Sequence, residues 1–222
     1  MRDTIAIIPA RKNSKRLKFK NIKSFMGKPL IYYSIIAAKK SNFISEVIVS
    51  TDCIKTKKIS EKFGAKVPYL RNKKLSNDNA TTIQVIEDIY KKYIIKKKKI
   101  KKIIVLQPTS PLRDFKDINK SINFFNLKKA DYVTSACETK PKNWFINVKL
   151  DKSIDKTFLK KKNNKIKNYL LNGAIYIFKC SLFKNYFKIK RPYAYIMSNE
   201  KFVDIDTKFD FELAKLIKKN VK

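Results

Sequence analysis

The sequence predicts an α/β fold with a mostly parallel, doubly wound sheet. Three observations carry the prediction. Short apolar runs rich in Ile and Val recur along the chain, separated by stretches of helical length. Their order, strand then helix then strand, is the rhythm of a parallel sheet with crossover helices. The first apolar run ends in a loop dense in cations and in amide and hydroxyl donors, and open α/β sheets bind ligands at such strand ends.

Ile5–Pro9 is a buried strand, and Leu30–Lys39 is a helix with Pro29 just before it. Glu46–Thr51 is a second strand, ending at Asp52. Lys55–Phe63 is a helix stopped by Gly64, a C′ glycine. Ala65–Leu70 is a short third strand, after which Asn79 or Thr81 caps a helix through about Tyr93. Lys102–Leu106 is a strand running into Gln107-Pro-Thr-Ser-Pro-Leu-Arg113. Asp117–Leu127 is a helix and Asp131–Cys137 a strand. The rhythm breaks after Glu138: residues 139–168 are polar and Lys-rich, and fit an inserted hairpin, an arm or a loop. Leu171–Phe178 restores a strand, Ala194–Met197 and Phe202–Ile205 are short strand candidates, and Lys208–Lys219 is a closing helix. The lysine run at 96–102, between a helix and a strand, reads as a solvated loop.

Composition narrows the function classes. The 222 residues suit one domain, expected to span 1–222, and 44% hydrophobic content supports a full core. A formal net charge of +35 suggests nucleic acid or an anionic membrane as partner. That charge is almost all lysine, spread from end to end beside abundant Ile and Asn, as an AT-rich genome produces; the arginines are only Arg2, Arg11, Arg16, Arg71, Arg113 and Arg191. A selected nucleic-acid surface favours Arg, which binds phosphate bidentately and stacks on bases. The absence of histidine removes Ser-His-Asp and Cys-His catalysis and His-containing zinc sites. Cys53, Cys137 and Cys180 are far apart, form no metal spacing, and read as reduced and mostly buried, as in a cytosolic protein. The apolar run at Thr4–Ala10 is too short for a signal peptide, and no segment reaches membrane-spanning length, so a cytoplasmic protein without a membrane partner is expected.

Four constellations and one weaker polar group carry candidate chemistry. The loop after the first strand presents Arg11, Asn13, Ser14, Lys15, Lys20 and Asn21, with Lys12, Arg16 and Lys18 among them. With only Gly27, Gly64 and Gly173, the chain has no Walker loop and no G-x-G-x-x-G, so phosphate would be met by side chains and turn amides. A solvated loop is the plainer alternative. In Val203-Asp-Ile-Asp-Thr207, residues two apart share a face, so Asp204 and Asp206 project together, opposite Val203 and Ile205. Paired carboxylates with substrate phosphates hold magnesium, while Asp206 or Thr207 capping the next helix explains the segment equally well. In the loop at 107–113, two prolines fix the directions of Gln107, Thr109, Ser110 and Arg113, which suits a polar ligand or a plain turn. Asn172-Gly173 is a bend or a point where backbone approaches ligand. Arg71 with Ser76, Asp78 and Thr82 is a weaker polar group.

In this order the pieces resemble the acylneuraminate cytidylyltransferases (CMP-sialic acid synthetases), from about Ile5 to Lys215. The signature runs Ile8-Pro-Ala-Arg-x-Asn-Ser-Lys-Arg-Leu-x-x-Lys-Asn21, Val49-Ser-Thr-Asp52, Arg71 with Leu75-Ser-x-Asp78, Leu106-Gln-Pro-Thr-Ser-Pro-Leu-Arg113, Asn172-Gly-Ala-Ile-Tyr-Ile177, Tyr195-Ile-Met197 and Val203-Asp-Ile-Asp-Thr207. The resemblance implies a Rossmann-like sheet of the nucleotide-diphospho-sugar transferase type. It implies transfer of CMP from CTP to the anomeric hydroxyl of an acidic nine-carbon sugar, with loss of pyrophosphate.

By the same resemblance, Arg11 and Lys20 bind the triphosphate, and Ala10, Asn13, Ser14, Lys15 and Asn21 shape the loop around it. Arg71 and Asp78 lie near the nucleotide, and Gln107, Thr109, Ser110 and Asn172 serve the sugar. Asp204 and Asp206 hold Mg2+, with Arg11, Lys20 and Asp206 the catalytic set; the base is Asp206 or a metal-bound water. The 139–168 segment corresponds to an arm packing on a second subunit, hence a homodimer. Lys18 stands where the family usually has proline. Leu170 and the run from Lys160 stand where the family often carries arginines for the sugar acid, so the sugar is left among N-acetylneuraminic, legionaminic and pseudaminic acids. From another class, a basic nucleic-acid-binding protein remains the alternative.

Overall fold

In a computed structural model the described residues are 2–12, 14, 16–139, 168–183 and 188–220. The strands are β1 (Thr4–Pro9), β2 (Ser24–Phe25), β3 (Lys28–Pro29), β4 (Ile44–Ser50), β5 (Lys102–Leu106), β6 (Tyr132–Thr139), β7 (Asn168–Lys179) and β8 (Pro192–Met197). The helices are α1 (Leu30–Lys40), α2 (Ile54–Lys62), α3 (Thr82–Ile89), α4 (Phe115–Leu127) and α5 (Lys208–Asn220). Six strands form one sheet in the order β4-β1-β5-β7-β6-β8. Only β7 runs against its neighbours, pairing antiparallel with β5 and β6, so the sheet is mostly parallel as expected.

The sequences of β1 and β5 are continuous apolar runs because both sheet faces are covered there. In β1, Ala6 and Ile8 enter one core with Ile31, Ile35, Ile118 and Ile122 of α1 and α4. Ile5 and Ile7 enter the opposite core with Val85, Ile86 and Ile89 of α3. β5 divides likewise, with Ile104 and Leu106 on one side and Ile103 and Val105 on the other. A third cluster joins Phe25, Leu30, Leu112, Val203 and Ile205 to Phe211 and Ala214 of α5. It packs the chain's last helix against the loop that follows the first strand.

Two expected strands are absent. Residues 65–70 make a single parallel bridge, Ile48 with Lys66. Pro68 has no amide hydrogen to extend a ladder, so the segment follows the sheet's edge and rejoins it only where the Arg71 amide donates to the Thr51 carbonyl at 2.8 Å. Phe202–Ile205 is extended but unpaired; its Ile205 amide donates to the Thr109 carbonyl at 2.8 Å, against a loop instead of a strand. The α3 helix begins where expected: Thr81 and Gln84 form a reciprocal capping box.

The lysine run is only partly solvated. Lys102 is buried, with its ammonium 2.7 Å from Asp3, and Lys97 pairs with Glu46 at 3.0 Å. All three cysteines are buried and unbridged. The arm expected at 139–168 lies, apart from its two end residues, outside the described residues. No described helix is long and apolar enough to cross a membrane.

Candidate active site

Sheet edge and loop meet just past Pro9. The Ala10 amide donates to the Ser50 carbonyl at 2.8 Å, and the Lys12 amide to Asp52 Oδ1 at 2.7 Å, so the end of β4 anchors the loop. Ala10 itself is buried. The Asn21 carboxamide donates to the Arg11 carbonyl at 3.0 Å, closing the loop's base. Phe19 adopts a left-handed conformation (φ 53°), which turns the chain into a short 3-10 turn at Lys20–Ile22. Lys20 is thereby aimed across the loop. Its ammonium donates to the Ile205 carbonyl and to Asp206 Oδ1, both at 2.8 Å.

The partner segment is held just as firmly. Val203 and Ile205 face the third core cluster while Asp204 and Asp206 face outward, the alternation expected of an extended run. The capping question resolves in favour of Thr207. Its hydroxyl accepts from the Asp210 amide at 3.2 Å, and Asp210 Oδ2 accepts from the Thr207 amide at 2.8 Å and the Asp206 amide at 3.0 Å. Against the upward pull of its own desolvation, these bonds hold the Asp210 carboxyl below its ordinary value. With Thr207 and Asp210 as the cap, the Asp206 carboxylate is left to Lys20 and to Arg16, whose Nη2 lies 3.1 Å from Oδ2. Crowding by surrounding protein raises the Asp204 carboxyl above its ordinary value. A Thr109 hydrogen bond opposes that shift and the neighbouring Asp206 adds to it.

Arg71 carries the clearest sign of a missing partner. It is 7% exposed, and neither Nε nor Nη2 has a hydrogen-bond partner. Burial lowers the proton affinity of its guanidinium, Asp52 raises it and Arg11 lowers it further. A buried guanidinium with free donors is costly, and an anionic or carbonyl-rich ligand would satisfy it. Nearby, Arg11 pairs with Asp78 at 2.7 Å.

The loop at 107–113 owes its rigidity to Arg113 as well as to its prolines. Arg113 is 2% exposed. Its Nη1 donates to the Gln107 and Ala174 carbonyls at 3.2 and 2.9 Å, and its Nη2 to Ser34 Oγ at 2.6 Å. Burial pushes its pKa down to about 10, which leaves it charged at neutral pH, with Asp117 and Asp114 opposing the shift. Arg113 therefore points into the molecule and fastens the loop to α1 and β7. Gln107 and Thr109 stay together at the loop's mouth, Thr109 Oγ1 donating to Gln107 Oε1 at 3.3 Å. Ser110 is buried, with its hydroxyl unpartnered. Asn172 is also turned inward, its carboxamide bound to Ser135, Cys137, Met197 and the Ala174 amide, so it positions β7 from within. The site-facing position at this point of β7 is Gly173. A Cβ there would lie 3.3 Å from Asp204 Oδ2 and 3.6 Å from Gln107 Oε1.

Arg11, Ser14, Arg16, Lys20, Asn21, Asp78 and Asp206 thus line one pocket of about 220 Å³. Gln107, Thr109, Gly173 and Asp204 form an adjoining polar group. Asn13 and Lys15 fall outside the described residues. Sequence reasoning missed Arg16 as a partner of Asp206; its scarcity among lysines was the available signal. A larger cavity of about 380 Å³ between Leu17, Lys23 and α5 contains none of the expected site residues.

Comparison with known proteins accords with this geometry. The family described as Cytidylyltransferase matches residues 5–218. An N-acylneuraminate cytidylyltransferase of Escherichia coli O18:K1:H7 is 36% identical over 95% of this chain, which spans about half (51%) of that relative's length. A CMP-N,N'-diacetyllegionaminic acid synthase of Legionella pneumophila is 31% identical over 94% of this chain and 93% of its own. A pseudaminic acid cytidylyltransferase of Campylobacter jejuni is 30% identical over 97% and 96%. These relatives favour CMP transfer and lend nothing to the nucleic-acid-binding alternative. Among solved structures, a CMP:2-keto-3-deoxy-manno-octonic acid synthetase complexed with CTP superimposes with a TM-score of 0.75 at 16% identity over 98% of each chain, a likeness of fold. A match across nearly the whole chain, with the first loop and the closing Asp-Ile-Asp segment converging on one pocket, places this chain in the cytidylyltransferase family of nucleotidyltransferases.

Proposed function

We propose that the protein transfers CMP from CTP to the anomeric hydroxyl of a nonulosonic acid, in the cytoplasm and as a homodimer. One observation supports this most: Lys20 of the first loop and Asp206 of the last motif meet at 2.8 Å over a cationic pocket at the sheet's carboxyl edge. Phosphoryl-type transfer needs positioning and charge neutralisation more than covalent help, and the pocket offers both. Arg11, Ser14, Lys20 and Asn21 hold the triphosphate, and the unsatisfied Arg71 guanidinium takes the nucleotide. The sugar hydroxyl attacks the α-phosphorus, passing its proton to the Asp206 carboxylate or to water; the bond to the bridging oxygen of the β-phosphate breaks, and pyrophosphate leaves against Lys20 and Arg11. Gln107 and Thr109 face the acceptor side, while Asn172 and Ser110 support it from within.

Asp204 and Asp206 fit Mg2+. Two carboxylates make a sufficient protein donor set when phosphate oxygens and water supply the remaining ligands, and the bare α-carbon of Gly173 leaves room beside Asp204. When bound there, the ion would stabilise charge on the transferring phosphate.

Lys20→Ala and Asp206→Asn are each expected to lower CTP turnover at least about 100-fold with the fold intact by circular dichroism. Wild-type rates in either would contradict the assignment. Supplying N-acetylneuraminic, legionaminic and pseudaminic acids separately identifies the acceptor through pyrophosphate release.

A further inference from the structure

Both arginines of the pocket are held by carboxylates across it, Arg11 by Asp78 at 2.7 Å and Arg16 by Asp206 at 3.1 Å. The two oxygens of Asp206 are thus each taken by a cation, Lys20 on Oδ1 and Arg16 on Oδ2. These cations are not equivalent. The Lys20 side chain is 11% exposed and tied a second time, to the Ile205 carbonyl. The Arg16 side chain is 67% exposed, and among the described residues the carboxylate it pairs with is Asp206. An exposed pair of this kind contributes little and is easily exchanged. The neighbouring Asp210 carboxylate, engaged by Thr207, attracts Arg16 by charge but makes no ion-pair contact with it as close as that of Asp206.

We propose that Arg16 is an exchangeable binding residue: Asp206 holds it in the free protein, and it passes to the nucleotide's phosphates when a divalent cation takes that carboxylate. This rests on the reading of the pocket as a nucleotide site. A divalent ion at Oδ2 competes with the guanidinium there, because two cations sharing one carboxylate oxygen repel each other. Once displaced, Arg16 remains on the wall of the same pocket as Arg11, Ser14, Lys20 and Asn21. The planar fork of arginine suits the phosphate oxygens it would then meet. By linkage, cation and nucleotide strengthen each other's binding through this one side chain, and each effect equals the other.

Calorimetric CTP binding to wild type and Arg16→Ala, in EDTA and in saturating magnesium, tests the exchange. In EDTA the variant's loss of affinity is expected to stay within about twofold, because Asp206 competes with the phosphates for Arg16. In magnesium the variant should bind CTP about five- to tenfold more weakly. In nucleotide-free protein, Mn2+ titrated by electron paramagnetic resonance should bind the variant about two- to fivefold more tightly. In an Asp206→Asn background, Arg16 is released without metal, so removing it should weaken CTP binding even in EDTA. Equal weakening with and without magnesium would overturn the proposal and make Arg16 an ordinary phosphate ligand. An unchanged Mn2+ affinity would overturn it as well. Failure of the wild type to bind CTP under either condition would instead reject the nucleotide reading, and the Mn2+ arm would still report on the Arg16–Asp206 contact.

Discussion

Arg71 shows most plainly how a residue can be placed for a ligand at the expense of stability. Its backbone is fixed by the Thr51 carbonyl, its side chain is buried, and two of its donors face no acceptor. Replacing a buried charge that has unsatisfied donors by an apolar group of similar length removes the desolvation cost. Arg71→Met is therefore expected to leave ligand-free stability unchanged or raise it by about 1 kcal/mol in urea unfolding, while weakening CTP binding at least about tenfold. A variant both less stable and unaltered in CTP affinity would make Arg71 structural. Arg113 is the contrast: equally cationic and more deeply buried, but supplied with three acceptors that lock the 107–113 loop. The sequence places both arginines in motifs. Only burial and partners separate the one aimed at a ligand from the one that fastens a loop.

At the scale of elements, the turns decide what the motifs can reach. Gly27 and Gly173 both have left-handed φ angles, +78° and +68°. Alanine at either is expected to cost about 1 kcal/mol. Only at Gly173 does the added Cβ meet Asp204 and Gln107, whereas nothing lies within 4 Å of one at Gly27. Gly173→Ala should therefore lower CTP turnover and Gly27→Ala should not; equal rates would separate β7 from the site. The cap of α5 gives a pH test. The Asp210 carboxyl is held below its ordinary 3.8, so its contribution is present above that value and is lost as pH falls through the lower folded one. Asp210→Asn should be less stable than wild type by about 1 kcal/mol at neutral pH, with the difference shrinking once pH drops below 3.8 and gone below the lower folded value. A difference that persisted in acid would remove the carboxylate from the cap.

These elements also show where the sequence was legible. β5 is found at its predicted bounds because both faces are buried and its apolar run is unbroken. The segment 65–70 reads as a strand by composition, but its ladder ends at Pro68, and periodicity does not register a lost amide hydrogen. At Phe202–Ile205 the alternation of faces was right and the partner was not, since extended backbone also docks on loops. The resemblance assigns Asn172 to the sugar; in the structure its carboxamide is bound by Ser135, and strand alternation turns Gly173 to the opposite face.

Across the whole molecule, the scarce acids are spent on fastening lysines. Asp3 binds buried Lys102, Glu46 binds Lys66 and Lys97, and Asp114 with Asp117 bind Lys201. The remaining charge sums to +35 and repels itself. Raising ionic strength from about 0.01 to about 0.15 M shortens the Debye length from about 30 to about 8 Å and should raise the Tm. A falling Tm would mean that the ion pairs outweigh the repulsion. Lysine spread of this kind belongs to composition, whereas three of the six arginines, Arg11, Arg16 and Arg71, stand in or beside the pocket.

The most direct test of the central claim follows phosphorus. In 31P NMR of CTP, magnesium and each nonulosonic acid with the protein, CMP-sugar phosphodiester and pyrophosphate should appear one for one with at least one acid. Intact CTP with all three acids, or hydrolysis to CDP and phosphate, would contradict it.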